Sequence, residues 1–273
     1  MNRPLLAFAL SAGGYAFFAV ITIVGIGTGQ IAIPGGDIVI TFDPAGDALR
    51  AGMDPYAIPP FERSLFFAPP WAVIYAALSW LPPSVLHIIT IGAGVGSLRY
   101  LARSWLGVGF ALWLPVIPFE LASGNINLII AATIVAAFRN RAEWLALGTY
   151  AKFSPILALR PMMARRFLIG MAIGVLITLP WPWLWAAWIS HDIQAVAELG
   201  RVHGPQIPIP SIVRFAAAGV LVALRRPWTS AAAAAIAVPF FYWVSLVLLL
   251  APIAVYLDGR TRERLPADQP RSI

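Results

Sequence analysis

The sequence predicts an all-α, polytopic transmembrane helical bundle of about eight to ten helices, some short or broken. Three observations predict it. Of 273 residues, 60% are apolar and only 11% charged, a balance unlike that of a soluble domain. Apolar runs of spanning or near-spanning length follow one another along the chain. The basic residues, eighteen arginines and one lysine, gather between those runs. Their clusters, Arg99/Arg103, Arg139/Arg141, Arg160/Arg165/Arg166, Arg225/Arg226 and Arg260/Arg262/Arg264, mark cytoplasmic turns under the positive-inside rule. There is no cysteine, which excludes disulfides and thiolate metal sites. No basic aqueous face is visible, so nucleic acid is not a partner.

The elements follow in order. Arg3 precedes an apolar run over 5–26, longer than a signal-peptide core and without a small-x-small cleavage site, which reads as a retained first helix. It delivers the chain to an outside loop over 27–66. The polar stretch 37–70 holds Asp37, Asp43, Asp47, Asp54 and Glu62, five of the twelve acidic residues. Asp43-Pro44, followed by small residues and Gly52, predicts a short surface helix over 44–51 with Asp43 as its N-cap. Asp47 and Arg50 then stand at i,i+3 and pair, and Asp54-Pro55-Tyr56 reads as a turn. Asp37 follows Gly35-Gly36 with no helix to cap, so a turn role and a chemical role both stay open.

Pro82-Pro83 divides 68–98 into two apolar pieces, so that either one of them lies at the interface or Arg99 is outside. Residues 104–138 fit a helical hairpin with its polar tip at 120–127, Glu120 in a wet turn and Asn125 and Asn127 capping the next helix. The 142–160 interval is too short to cross roughly 30 Å twice, and so is either two half-helices or a single span against the charge rule. Lys152, near its middle, needs a cavity or a counter-charge. Residues 167–224 fit a second hairpin with a tip at 190–210, and 227–257 a tight pair broken at Pro239. A single domain over 1–257 precedes a polar cytoplasmic tail over 258–273.

Some motifs carry only packing. Gly92-Ala-Gly94-Val-Gly96 sits inside an apolar helix with no strand before it, and reads as helix contact rather than dinucleotide binding. The tryptophans of 181–188 read as an interfacial belt. His191, Asp192, Glu198, Arg201 and His203 share one outside loop, but none stand at i,i+4, so no metal site is expected.

Four segments, in order, resemble the GT-C superfamily of integral-membrane glycosyltransferases, specifically glycosyltransferase family 87, a set of polyprenyl-phosphate-mannose-dependent mannosyltransferases. They are Asp37 followed by AGDALRAGMDPY, Phe66-Phe67-Ala68-Pro69-Pro70, Gly124-Asn125-Ile126-Asn127, and Ala151-Lys152-Phe153-Ser154-Pro155 followed by Arg165-Arg166. The match covers about residues 5–170, with Ala68 standing where the family usually has an aromatic residue. The resemblance implies a hexosyltransferase of the bacterial inner membrane. It would move a sugar, mannose in the family, from a polyprenyl-phosphate donor to a lipid or glycan acceptor on the periplasmic face, with no cofactor. It implies Asp37 as general base (Asp43 the alternative) and cations at the donor phosphate, for which Lys152 and Arg201 are the candidates; Tyr56, Arg63, Glu120, Asn125, Asn127 and His203 are the candidates around the substrates. Two other readings compete: a transporter or flippase for a lipid-linked or small anionic solute, and an inactive homologue that serves as an assembly partner.

Overall fold

In a computed structural model of the protein, residues 3–28, 36–58, 65–197, 209–238 and 242–264 are described. Among them every regular element is helical, and thirteen are α-helices. That exceeds the eight to ten expected, because prolines and polar turns cut several apolar runs into shorter helices.

The first apolar run is one helix, α1 (Arg3–Gly27). The stretch that holds Asp37 is itself helical: a wide turn over Ile38–Phe42 runs directly into α2 (Asp43–Arg50). Gly46 lets α2 approach α3 (Pro69–Leu78) closely, since a Cβ there would stand 2.6 Å from the Tyr75 carbonyl oxygen. Pro82-Pro83 starts α4 (Pro83–Ala102), as the sequence suggests. The expected hairpin over 104–138 is instead three helices: α5 (Trp105–Ala111), α6 (Val116–Ala122) and α7 (Asn127–Phe138). Ser104 caps α5 by accepting from the Gly107 N–H at 2.9 Å. Pro115 lacks the N–H that would continue α5, and the chain turns by 101° between α5 and α6.

The 142–160 interval takes its two-piece form, α8 (Glu143–Ala151) and a tighter helical turn over Ser154–Ala158, with the break at Lys152 and Phe153. Then come α9 (Ala164–Ile177), α10 (Trp183–Ala197), α11 (Ser211–Ala223), α12 (Pro227–Ile236) and α13 (Leu250–Arg264). The second expected hairpin is broken at 178–182, and most of its tip and Pro239 lie outside the described residues. The polar tail does not begin at 258: α13 continues to Arg264, and Asp258 is buried between two arginines.

Three segments are long and apolar enough to cross a membrane, Pro4–Gly27, Pro83–Ala102 and Trp243–Thr261. The bent α5–α6 pair makes a fourth if it counts as one span. At the centre lies α7, apolar on every side and buried almost throughout, as a helix enclosed by others must be. It packs against α4, α8, α12 and α13.

Candidate functional site

Four stretches of chain far apart in sequence meet at the N-terminal end of α7. The tight turn between α6 and α7 needs Gly124, whose φ of +68° is in the left-handed region. A Cβ there would also stand 2.8 Å from Ile38 Cγ1, so the turn rests directly on the Asp37 segment. The Asp37 backbone N–H donates to the Ser123 carbonyl at 3.2 Å. On the other side, Lys152 closes α8 in extended conformation, its own N–H donating to Gly148 O at 2.9 Å. The Ala68-Pro69-Pro70 motif is held to the same helix: the Ala68 N–H donates to Tyr150 O at 2.8 Å and Trp71 Nε1 to Leu147 O at 3.1 Å.

The side chains form a directional hydrogen-bond network. Lys152 Nζ donates to Asn127 Oδ1 at 2.7 Å. The Asn127 amide donates to Glu120 Oε2 at 3.1 Å and to Asn125 Oδ1 at 2.9 Å. The Asn125 amide donates to Asp37 Oδ2 at 2.7 Å. Donation runs from the cation through two amides to two carboxylates, and reversing either amide would set like groups against each other. Glu120 and Asn127 are fully buried, while Asp37, Asn125 and Lys152 keep part of their surface open. Burial raises the Asp37 carboxyl above the usual range, against the lowering pull of the Asn125 hydrogen bond and the Lys152 charge.

Several expectations change here. Glu120 is not in a wet tip. It is enclosed, and it takes the capping role expected of the asparagines, accepting from the Leu128 N–H at 3.3 Å at the positive end of α7. Asn125 and Asn127 make no cap and link charges instead. Asp43 begins α2 but caps nothing. The helical turn before it removes the free helix start, Phe42 takes the cap position, and Asp43 Oδ1 is buried without a hydrogen-bond partner among the described residues. Asp37 does lead a helical turn, yet its carboxylate makes no cap there and points to Asn125. The counter-charges of Lys152 are protein carboxylates, through Asn127 to Glu120 and through Asn125 to Asp37.

Asp47 and Arg50 pair as expected, at 3.7 Å, and the Asp54 side chain accepts from the Tyr56 N–H at 2.9 Å in the predicted turn. Tyr56 stands apart from the network. Its hydroxyl donates to Phe67 O at 3.1 Å, and its ring lies 6.0 Å from that of His191. Arg63, Arg201 and His203 lie outside the described residues. Sequence reasoning missed Tyr75, buried and stacked on Phe42 at 4.4 Å, with no hydrogen-bond partner for its hydroxyl among the described residues. Its only signal was helical spacing from the Pro-Pro motif. No group of acidic and histidine residues among those described could hold a metal ion.

No protein-family model, curated protein or solved structure matches this chain.

Proposed function

We propose that the chain is a polytopic membrane glycosyltransferase of the GT-C kind. It transfers a sugar, mannose by the family resemblance, from a polyprenyl-phosphate donor to a lipid or glycan acceptor at the outer face. One observation carries this reading: in a chain with so few charges, Asp37, Glu120, Asn125, Asn127 and Lys152 meet in one connected network. All but Glu120 belong to a segment that carries the family resemblance, and Glu120 stands four residues before Gly124. The α1, α4, α5–α6 and Trp243–Thr261 segments supply spans, and the arginine clusters put the opposite end of the bundle in the cytoplasm.

Asp37 acts as general base. Its carboxylate takes the proton of the acceptor hydroxyl as that oxygen attacks the anomeric carbon, and the bond from that carbon to the phosphate oxygen breaks with inversion. A raised pKa makes the carboxylate a stronger proton acceptor than an exposed aspartate. The leaving polyprenyl phosphate gains negative charge, and Lys152 offers it the ammonium N–H groups that Asn127 does not use. Arg201 remains the second candidate at the phosphate. The asparagines keep the acid and the ammonium from collapsing into a direct pair.

The experiment uses purified protein with radiolabelled polyprenyl-phosphate mannose and membrane-lipid acceptors. Label should reach the acceptor with wild type and stay on the donor with Asp37→Asn. Lys152 already faces two carboxylates, which favours a non-catalytic clasp as the second reading. Donor binding without transfer in wild type would establish that reading.

A further inference from the structure

At the arginine-rich end of the bundle, away from the network, α4 and α8 stand apart over α7 and leave a groove of about 640 Å³. Its floor and walls are small or apolar, among them Ala93, Gly96, Ala132 and Ala136. Its mouth carries Tyr100, Trp144 and Arg141. A second cavity of about 370 Å³ adjoins it, lined by Arg141, Glu143, Arg166 and Ile169, so Arg141 belongs to both.

We propose that this pair of cavities binds one anionic glycerophospholipid. An acyl chain lies in the groove and the phosphate meets Arg141 and Arg166. From Ala93 to Tyr100 on α4 the groove runs roughly 10 Å along the helix axis, within the depth of one hydrocarbon leaflet. An acyl chain from a single leaflet fits that run, whereas a lipid spanning both leaflets does not. Tyr100 and Trp144 stand where an aromatic collar meets the headgroup layer.

Charge selects the headgroup. Arg103 and Arg139, at the same end, are taken up by Asp258 at 3.0 and 2.8 Å. The Arg139 guanidinium also lies 4.5 Å over the Tyr100 ring and donates to the Tyr100 carbonyl, which fixes one side of the mouth. Arg141 is 69% exposed and only 3.7 Å from Glu143 Oε1, a loose pair in high dielectric. Arg166 is exposed, with one N–H donated to Asn140 O. Two arginines and one glutamate leave a net charge of +1 in the headgroup cavity, which one phosphate diester neutralises.

The proposal is independent of the glycosyltransferase reading, and its test reads no transfer. The delipidated full chain in detergent is mixed with phosphatidylglycerol, phosphatidylethanolamine and phosphatidylcholine of one acyl composition, and retained lipid is counted by native mass spectrometry. Phosphatidylglycerol should be preferred about tenfold, the worth of one charge-assisted contact. The preference should vanish in the double variant Arg141→Gln/Arg166→Gln. Gly96→Leu, whose Cβ meets nothing within 4 Å, fills the groove with no clash at Cβ and should abolish retention. Ala93→Leu serves the same purpose if Gly96→Leu does not fold, with folding followed by thermal unfolding. Equal retention of phosphatidylglycerol and phosphatidylethanolamine overturns the proposal. So does an unchanged preference in the arginine variant, or full retention with the groove filled.

Discussion

The two ends of α7 hold their charges in opposite ways. At its C-terminal end Arg139 and Asp258 meet directly at 2.8 Å, and Arg103 reaches the same carboxylate at 3.0 Å. At its N-terminal end, among the described residues, no acid touches a base: Lys152 is joined to Glu120 and Asp37 through the amides of Asn127 and Asn125. The first arrangement commits its one carboxylate to direct contact with both arginines. The second holds unlike charges apart, so each keeps capacity for something else. Both sit in an apolar bundle where an isolated charge is costly, and the difference between them is whether the charges meet directly or through amides.

The sharpest way to break this comparison is Asp37→Asn, which keeps shape and removes the base. Transfer should fall by about 10²–10⁴-fold while donor binding stays intact, measured as initial rate and donor affinity. Asp43→Asn should leave transfer near wild type; if the pattern is reversed, Asp43 is the base. Next, Asp258→Ala strands Arg139 and should cost about 3–5 kcal/mol of stability by thermal unfolding, with transfer per folded molecule unchanged. Lys152→Met should destabilise as well, because it leaves two carboxylates uncompensated, but it should also lose donor affinity. Donor affinity kept in folded Lys152→Met would make the two ends equivalent clasps.

Smaller effects sharpen the contrast. Asn125→Ala removes the hydrogen bond that lowers the Asp37 pKa, so that pKa rises further. The base must be deprotonated, hence the acidic limb of the rate profile should move to higher pH. A limb that moves down or stays would separate Asn125 from the base. The smallest effect belongs to Asp192 on α10, whose carboxyl burial raises from 3.8 to about 6. The fold binds that proton more tightly than the unfolded chain. Its contribution is therefore present at about pH 4 and lost as pH rises through about 6. Wild type should lose a few degrees of melting temperature over that interval that Asp192→Asn does not lose.

Much of the architecture was legible from punctuation. Pro82-Pro83 announced the start of α4, the length of 142–160 narrowed it to two half-helices or a single span, and the spacing of Asp47 and Arg50 announced a pair. The 101° turn between α5 and α6 was not legible, since a single Pro115 ends a helix without saying where the chain goes next. Local rules misassigned Asp43 and Glu120 for one reason. Capping statistics assume a free helix end, but the α2 end is filled by a preceding helical turn, and the α7 end is capped from a different helix. Asp37 and Lys152 could be singled out by what they lacked locally, a helix to cap and a neighbouring acid. Their partners could not, because pairing across such separations is decided by packing.

Gly124 gives the network a weakness that no charged residue reveals. Its missing side chain is what allows the turn to rest on Ile38, one residue from Asp37. A side chain there would press on Ile38 and strain the turn, while every ionisable group in the chain stayed the same. Two related sequences that share all five polar residues could thus differ in whether the network forms. Glycine at that one turn is consequently as much a part of the network as the residues that carry its charges.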